Sequence, residues 1–172
     1  MSVQTDYPDS IGQAYAGLPA DLTRMSAYSY TLLTGTLRYG SAVALASNAG
    51  DPNVECVQPD ADNLRFAGIA LREHVREGQL EALTAPNGNG ETAYLKEKDT
   101  VSVGTRGRVY VRVAEDVEAG EKAYFVHQNN ASYTIGDFAV STLAGDATEI
   151  TNMHAYFRTS ALAGELAVIE LN

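Results

Sequence analysis

The chain has 172 residues and a mass of 18.4 kDa, enough for one domain with a sizeable core and some chain left over for an arm or long loops. Apolar residues at 45% and charged residues at 20% exclude wholesale disorder, and 12 Lys and Arg against 22 Asp and Glu, a formal net charge of −10, set up a field that repels phosphate and argues against a nucleic-acid partner. No apolar run approaches the roughly 20 residues that cross a bilayer, and the start MSVQTDYPDS is neither basic nor hydrophobic, so the sequence predicts synthesis in the cytoplasm and no membrane partner.

Residues 1–25 carry two prolines, scattered aromatics and no clean period, the pattern of an extended N-terminal arm ahead of a domain at 26–172. Tyr7, Ile11, Tyr15 and Leu18 cannot form a core among themselves. They are expected to lie along another surface, either that of a neighbouring subunit or partner or that of the chain's own domain.

From Ser26 onward, short apolar stretches alternate with Gly, Asn, Asp and Pro clusters, which predicts strands and turns. Ser29 to Leu33 and Arg38 to Ala46 are the first strands; Val54, Cys56 and Pro59 bracket a third; Phe66 to Arg72 form a fourth, in which Gly68 marks a bulge or a close backbone approach. The polar stretch that follows, with one helical turn near Gln79 to Leu83, contains an exposed loop tip at Asn87, Gly88, Asn89 and Gly90. Val101 and Val103, then Val109, Val111 and Val113, alternate with polar residues on either side of GTRG, which reads as a hairpin. AYFVH, SYTI, Asp137 to Thr142, AYFR and the nearly continuous apolar run LAVIEL complete the set, the last as a central strand. The expected fold is all-β: a single β-sandwich or β-barrel of short antiparallel strands with an extended N-terminal arm. No internal repeat stands out.

Catalytic and metal-binding constellations are not expected. His74, His127 and His154 lie far apart, and Cys56 is a lone cysteine in an apolar-alternating stretch, where it reads as a small buried hydrophobe. GxSxG, GxGxxG and P-loop patterns are all missing. The carboxylates Asp60 with Asp62, and Glu115 with Asp116 and Glu118, lack the alternation of a calcium loop and read as solvated turns. No catalytic residue, metal or cofactor is therefore assigned. AGLPADL and GTRGRV loosely resemble glycine-bearing segments of trimeric dUTP-hydrolysing enzymes, but that family's nucleoside segment and C-terminal phosphate loop are not recognisable.

Several segments in succession resemble the head decoration, or structural cement, proteins of tailed bacteriophages. These are AGLPADL at 16–22, LRYGSAVAL at 37–45, VQP at 57–59, FAGIALRE at 66–73, DTVSVGTRGRVYVRV at 99–113, EAGEKAYF at 118–125 and AYFRTSALAGELAVIEL at 155–171. The resemblance implies a virion structural protein on the outer capsid surface, bound to the major capsid protein as a homo-trimer or alternatively a homo-dimer, stabilising the shell without catalysis. In that setting the expected interface residues are Tyr7, Ile11, Tyr15 and Leu18 of the arm; Arg106 and Arg108, close together at the hairpin, either meet acidic groups of a partner or are solvated at an exposed turn. A carbohydrate- or receptor-binding β-module is the alternative from another class; its usual aromatic platform would have to come from the ten tyrosines, since tryptophan is lacking.

Overall fold

The computed structural model describes residues 14–46, 51, 53–72 and 94–172. Among these the protein is all-β. A long strand β1 (Pro19–Thr34) is followed by β2 (Leu37–Arg38), β3 (Ala42–Leu45), β4 (Glu55–Val57) and β5 (Phe66–Ala70). After β6 (Tyr94–Leu95) comes the second long strand, β7 (Thr100–Arg112). Five short strands complete the chain: β8 (Tyr124–Val126), β9 (Phe138–Ala139), β10 (Ala147–Glu149), β11 (Ala155–Phe157) and β12 (Leu166–Leu171).

The main sheet closes on itself. Its order is β1-β4-β3-β5-β7-β12-β11, and β1 pairs again with β7, so β1, β4, β3, β5 and β7 form a ring. The β1–β4 seam is parallel, from Thr31 opposite Glu55 to Thr34 opposite Val57, and the other four contacts of the ring are antiparallel. Each ring strand sends side chains into one interior cluster: Leu32, Val43, Cys56, Ala67, Ala70, Val101 and Val103, joined by Leu37 and Leu95 of the β2–β6 ribbon. Burying a Leu or Val contributes about 1.5–3 kcal/mol, against about 1 kcal/mol net for a hydrogen bond. The short seam is therefore held mainly by what the ring encloses.

A second, larger core lies on the other side of β5. Phe66, Ile69 and Leu71 point into it while Ala67 and Ala70 point into the ring, so β5 is a wall between two cores. The extra residue on β5 that lets Phe66 and Ile69, three positions apart, face the same core shows as a register shift against β3, where Val43 pairs with Gly68 and Ala44 with Phe66. Gly68, as its sequence context predicts, makes a close approach: a Cβ there would collide with the carbonyl oxygen of Gly104. The far half of β7 brings Val109 and Val111 to the larger core, β12 adds Ala167, Ile169 and Leu171, and the β10-β8-β9 sheet adds Phe125 and Phe138. Phe66 stacks on Phe125 at 6.1 Å and meets Phe138 edge-on at 6.3 Å.

The structure corrects four of the expectations. GTRG is no turn, because β7 runs straight through it. All five valines keep the same odd-numbered parity across the segment, which a continuous strand requires, and Gly104 is there because a Cβ would lie 3.0 Å from both Leu71 and Met25. The stretch Arg38 to Ala46 is broken into β2 and β3 by a turn at Gly40, which has φ +78°. β1 runs from Pro19 to Thr34, well beyond the expected strand at Ser29 to Leu33. Three register shifts against β7 obscured its alternation. The strands are also not all short, since β1 has 16 residues and β7 has 13.

One local pattern recurs. Glu118-Ala-Gly-Glu121, Leu143-Ala-Gly-Asp146 and Leu162-Ala-Gly-Glu165 each form a turn closed by an amide of the acidic residue donating to the first residue's carbonyl, at 3.3, 3.3 and 3.0 Å. Each turn leads into a strand or extended stretch whose fifth residue after the glycine, Phe125, Ile150 or Ile169, is buried in the larger core. The repeat is only four residues long and is diluted by different spacings, which hides it in the sequence.

Where the two cores meet, Arg38 Nη2 donates to Asp137 Oδ1 at 2.8 Å and the Thr134 amide to Asp137 Oδ2 at 2.8 Å. Asp137 is 5% exposed. Burial pushes its carboxyl pKa up, and the Arg38 guanidinium pulls it back. The adjoining Gly136 carbonyl accepts from the Ala42 amide at 2.8 Å, so this corner fastens the second core to the ring. Arg38→Ala leaves the carboxylate buried without its partner and is expected to cost about 3 kcal/mol in chemical denaturation; a loss well under about 1 kcal/mol would instead describe a surface pair. Cys56, fully buried inside the ring with its thiol pushed up to about 12 by burial, should not react with a thiol-specific reagent until the protein unfolds.

Candidate interaction surfaces

Four of the segments that carry the family resemblance converge on one junction. Gly17 and Gly40 cross backbone to backbone, with φ +84° and +78°; a Cβ on Gly17 would lie 2.7 Å from the Gly40 nitrogen, and a Cβ on Gly40 2.6 Å from the Gly17 nitrogen. The Gly17 amide donates to Tyr110 O at 2.7 Å, the Arg72 amide to Gly17 O at 2.8 Å, and the Gly40 amide to Ala70 O at 2.7 Å. No side chain fits between these backbones, which accounts for glycine in both AGLPADL and LRYGS.

The same junction places Arg72 against two aromatic rings, with its guanidinium carbon 4.7 Å from the Tyr15 centroid and 5.8 Å from that of Tyr39. Tyr15 remains 51% exposed. Leu18 is half-buried, and its carbonyl accepts from the Tyr110 amide at 3.0 Å. Of the arm residues singled out in the sequence, Tyr15 and Leu18 thus sit on the chain's own sheet; Tyr7 and Ile11 lie outside the described residues, as do Asn87, Gly88, Asn89 and Gly90 of the loop tip and the helical turn near Gln79.

Arg106 and Arg108 lie in mid-strand on β7, with no hairpin between them. Arg108 faces Glu170 across the β7–β12 register, and its Nε donates to Glu170 Oε2 at 2.6 Å, with Asp21 Oδ2 4.0 Å from its Nη1. Arg158 Nε adds a second donor to the same oxygen at 2.8 Å, and Asn172 Nδ2 donates to Glu170 Oε1 at 2.8 Å. Arg108 is therefore engaged within its own sheet. Arg106 is exposed opposite Ser26, and no carboxylate pairs with it among the described residues.

His127 is buried against Phe125, whereas His154 is exposed and stacks on Tyr156 at 6.4 Å. His74 lies outside the described residues. Among the described residues, no three His, Cys, Asp or Glu side chains gather as a metal site, and no helix is long and apolar enough to cross a membrane.

What the sequence reading missed is the outer edge of β1. β7 covers one edge of this strand from Pro19 to Thr31, but β4 covers the other only from Thr31. Between Pro19 and Tyr30, no described strand pairs with the outer edge. Tyr28, 62% exposed, lies in this gap.

The family described as structural cement protein (E217 gp24/Pam3 gp6) matches residues 3–172. Among solved structures, one from the capsid of Myoviridae phage XM1 superposes with a TM-score of 0.65 at 17% identity, covering 100% of this chain and 98% of that chain. The head fibre gp8.5 N base of bacteriophage phi29 gives a TM-score of 0.46 at 12% identity, covering 86% of this chain and 94% of that one. No curated protein sequence matches.

The Glu170 cluster yields a pH signature. Hydrogen bonds from Arg158, Asn172 and Arg108 lower its carboxyl pKa from an ordinary 4.5 to about 2. The folded pKa is depressed, so the carboxylate contributes stability that is fully present above pH 4.5 and disappears as the pH falls towards 2. Glu170→Gln is expected to destabilise by about 1 kcal/mol at neutral pH, the scale of a partly solvated ion pair. Unfolding curves of the two proteins should converge in that acid window; a gap that persists there would assign the loss to packing.

Proposed function

Because the chain belongs to the phage structural cement protein family, we propose that it binds the outer surface of the assembled capsid through the major capsid protein and stabilises the shell. The observation that carries this reading is the family match over nearly the whole chain. A structural role in the virion, at the capsid, follows from membership itself; the outer face, the homo-trimer with the homo-dimer as alternative, action without catalysis or nucleic acid, and synthesis in the host cytoplasm are the finer parts of the proposal. The fold shared with a protein of the phage XM1 capsid is compatible with it.

The physical basis is linkage. A ligand that binds the mature lattice and not its disrupted form stabilises each site by RT ln(1 + [L]/Kd). A shape-complementary surface is sufficient for this. An acidic protein, with net charge −10, also avoids unspecific adhesion to the genome that such a shell contains. The arm and its residues Tyr7, Ile11, Tyr15 and Leu18 are proposed as contacts, with Asn87 to Gly90 as an exposed tip and Arg106, which is free of carboxylate partners among the described residues, as the more available of the two arginines.

Purified protein added to expanded heads of its own phage should co-sediment with them and raise the temperature at which they release DNA. Removing residues 1–13 leaves every described strand in place and is expected to lower occupancy at least tenfold. Wild-type protein that does not co-sediment would overturn the capsid reading; undiminished occupancy of the truncated chain would remove Tyr7 and Ile11 from the contact.

A further inference from the structure

The outer face of β7, β12 and β11 has the opposite charge from the rest of the chain. Val109 and Val111 of β7 and Ala167, Ile169 and Leu171 of β12 enter the larger core, so alternation turns Arg106, Arg108, Tyr110 and Arg112, with Val168 and Glu170, to the outer side. Tyr156 of β11 lies opposite Glu170, and Arg158 follows it. Four of the chain's 12 cationic residues thus share one face of a protein with net charge −10. Glu170 is the one carboxylate on these three strands, and Asp21 stands at their edge. Arg108 and Arg158 both spend their Nε donor on the same Glu170 oxygen, yet their side chains remain 46% and 48% exposed. One carboxylate offsets one of the two guanidinium charges. The Nη groups of Arg158 have no partner among the described residues, and Arg106 adds a further charge with no described carboxylate beside it.

We propose that this face docks a carboxylate-rich segment of the capsid partner, held by Arg106, Arg108 and Arg158, an assignment that rests on the chain binding the capsid. The planar end of a guanidinium matches a carboxylate with two parallel hydrogen bonds. Glu170 holds two of these forks in place before docking, so less side-chain freedom is lost when a partner arrives. Val168, at the centre of the face, is only 7% exposed, with Tyr110 opposite it; side chains lie over the strand there and present a continuous surface. Charge selects the occupant. A long polyanion such as nucleic acid would meet the repulsion of the whole molecule, whereas a short acidic segment responds to charges within the screening length of about 8 Å. Contacts of this kind chiefly steer and orient docking, and repetition over many lattice sites adds them together.

Arg106→Glu breaks no described ion pair and should unfold at the wild-type temperature. Combined with Arg158→Gln, it should lower occupancy of expanded heads about tenfold in co-sedimentation. Lys96→Glu, an equal reversal at an exposed cation ahead of β7, should bind as wild type does. Raising salt from about 0.05 M to about 0.5 M should weaken wild-type binding more steeply than that of the double variant. Heads that bind the wild type and both arginine variants equally, or a Lys96→Glu loss as large as theirs, would overturn this face and leave the capsid reading standing. Heads that do not bind the wild type would remove the capsid reading itself. Single-stranded DNA bound by free protein and released by Arg106→Glu would overturn the carboxylate assignment in favour of phosphate. A change in the free protein's oligomeric state with Arg106→Glu would overturn it in favour of a second copy.

Discussion

Strand β7 has to serve as a wall of two cores at once, and most of the architecture follows from that requirement. Its first half closes the ring against β1 and β5, and its second half carries β12 and the larger core. To do both, it must pass β5 at very short range, and the Gly68–Gly104 approach is where that happens. A side chain at Gly68 would force the two strands apart and loosen both cores together, whereas a truncation inside either core would be felt mainly in one.

The structure is economical in polar fastenings. Arg38 and Asp137 join the second core to the ring at a buried corner, and Glu170 gathers Arg108, Arg158 and Asn172 over the outer face of the sheet. These two sites differ in kind. Asp137 is buried, so its ion pair mainly prevents the penalty of a lone charge; Glu170 is partly solvated, so its partners lower its pKa with less effect on folding. The remaining cohesion is apolar, as suits a protein whose proposed work is to hold a shape against a lattice.

The fold class was legible because strand alternation survives wherever one face is buried: Val101, Val103, Val109, Val111 and Val113 declare their parity openly, and LAVIEL declares a covered strand. Connectivity was less legible. GTRG carries the residues of a turn, but its Gly104 answers to Leu71, Met25 and the crossing of β5, contacts distant in sequence. β1 was hidden by three bulge-like register shifts that scramble its period. Arg108 looked available because its carboxylate partner lies 62 residues away.

The three Ala-Gly-acid turns have a practical side. Gly120, Gly145 and Gly164 have no neighbouring atom within 4 Å of an added Cβ, so the chain offers three tips where foreign sequence would extend into solvent without displacing packed atoms. The acidic residue's amide closes each loop from within, and the strand or extended stretch that follows is anchored by Phe125, Ile150 or Ile169. Grafts there would be held at both ends by the parent fold. On a particle carrying many copies, each tip becomes a regularly spaced point of display.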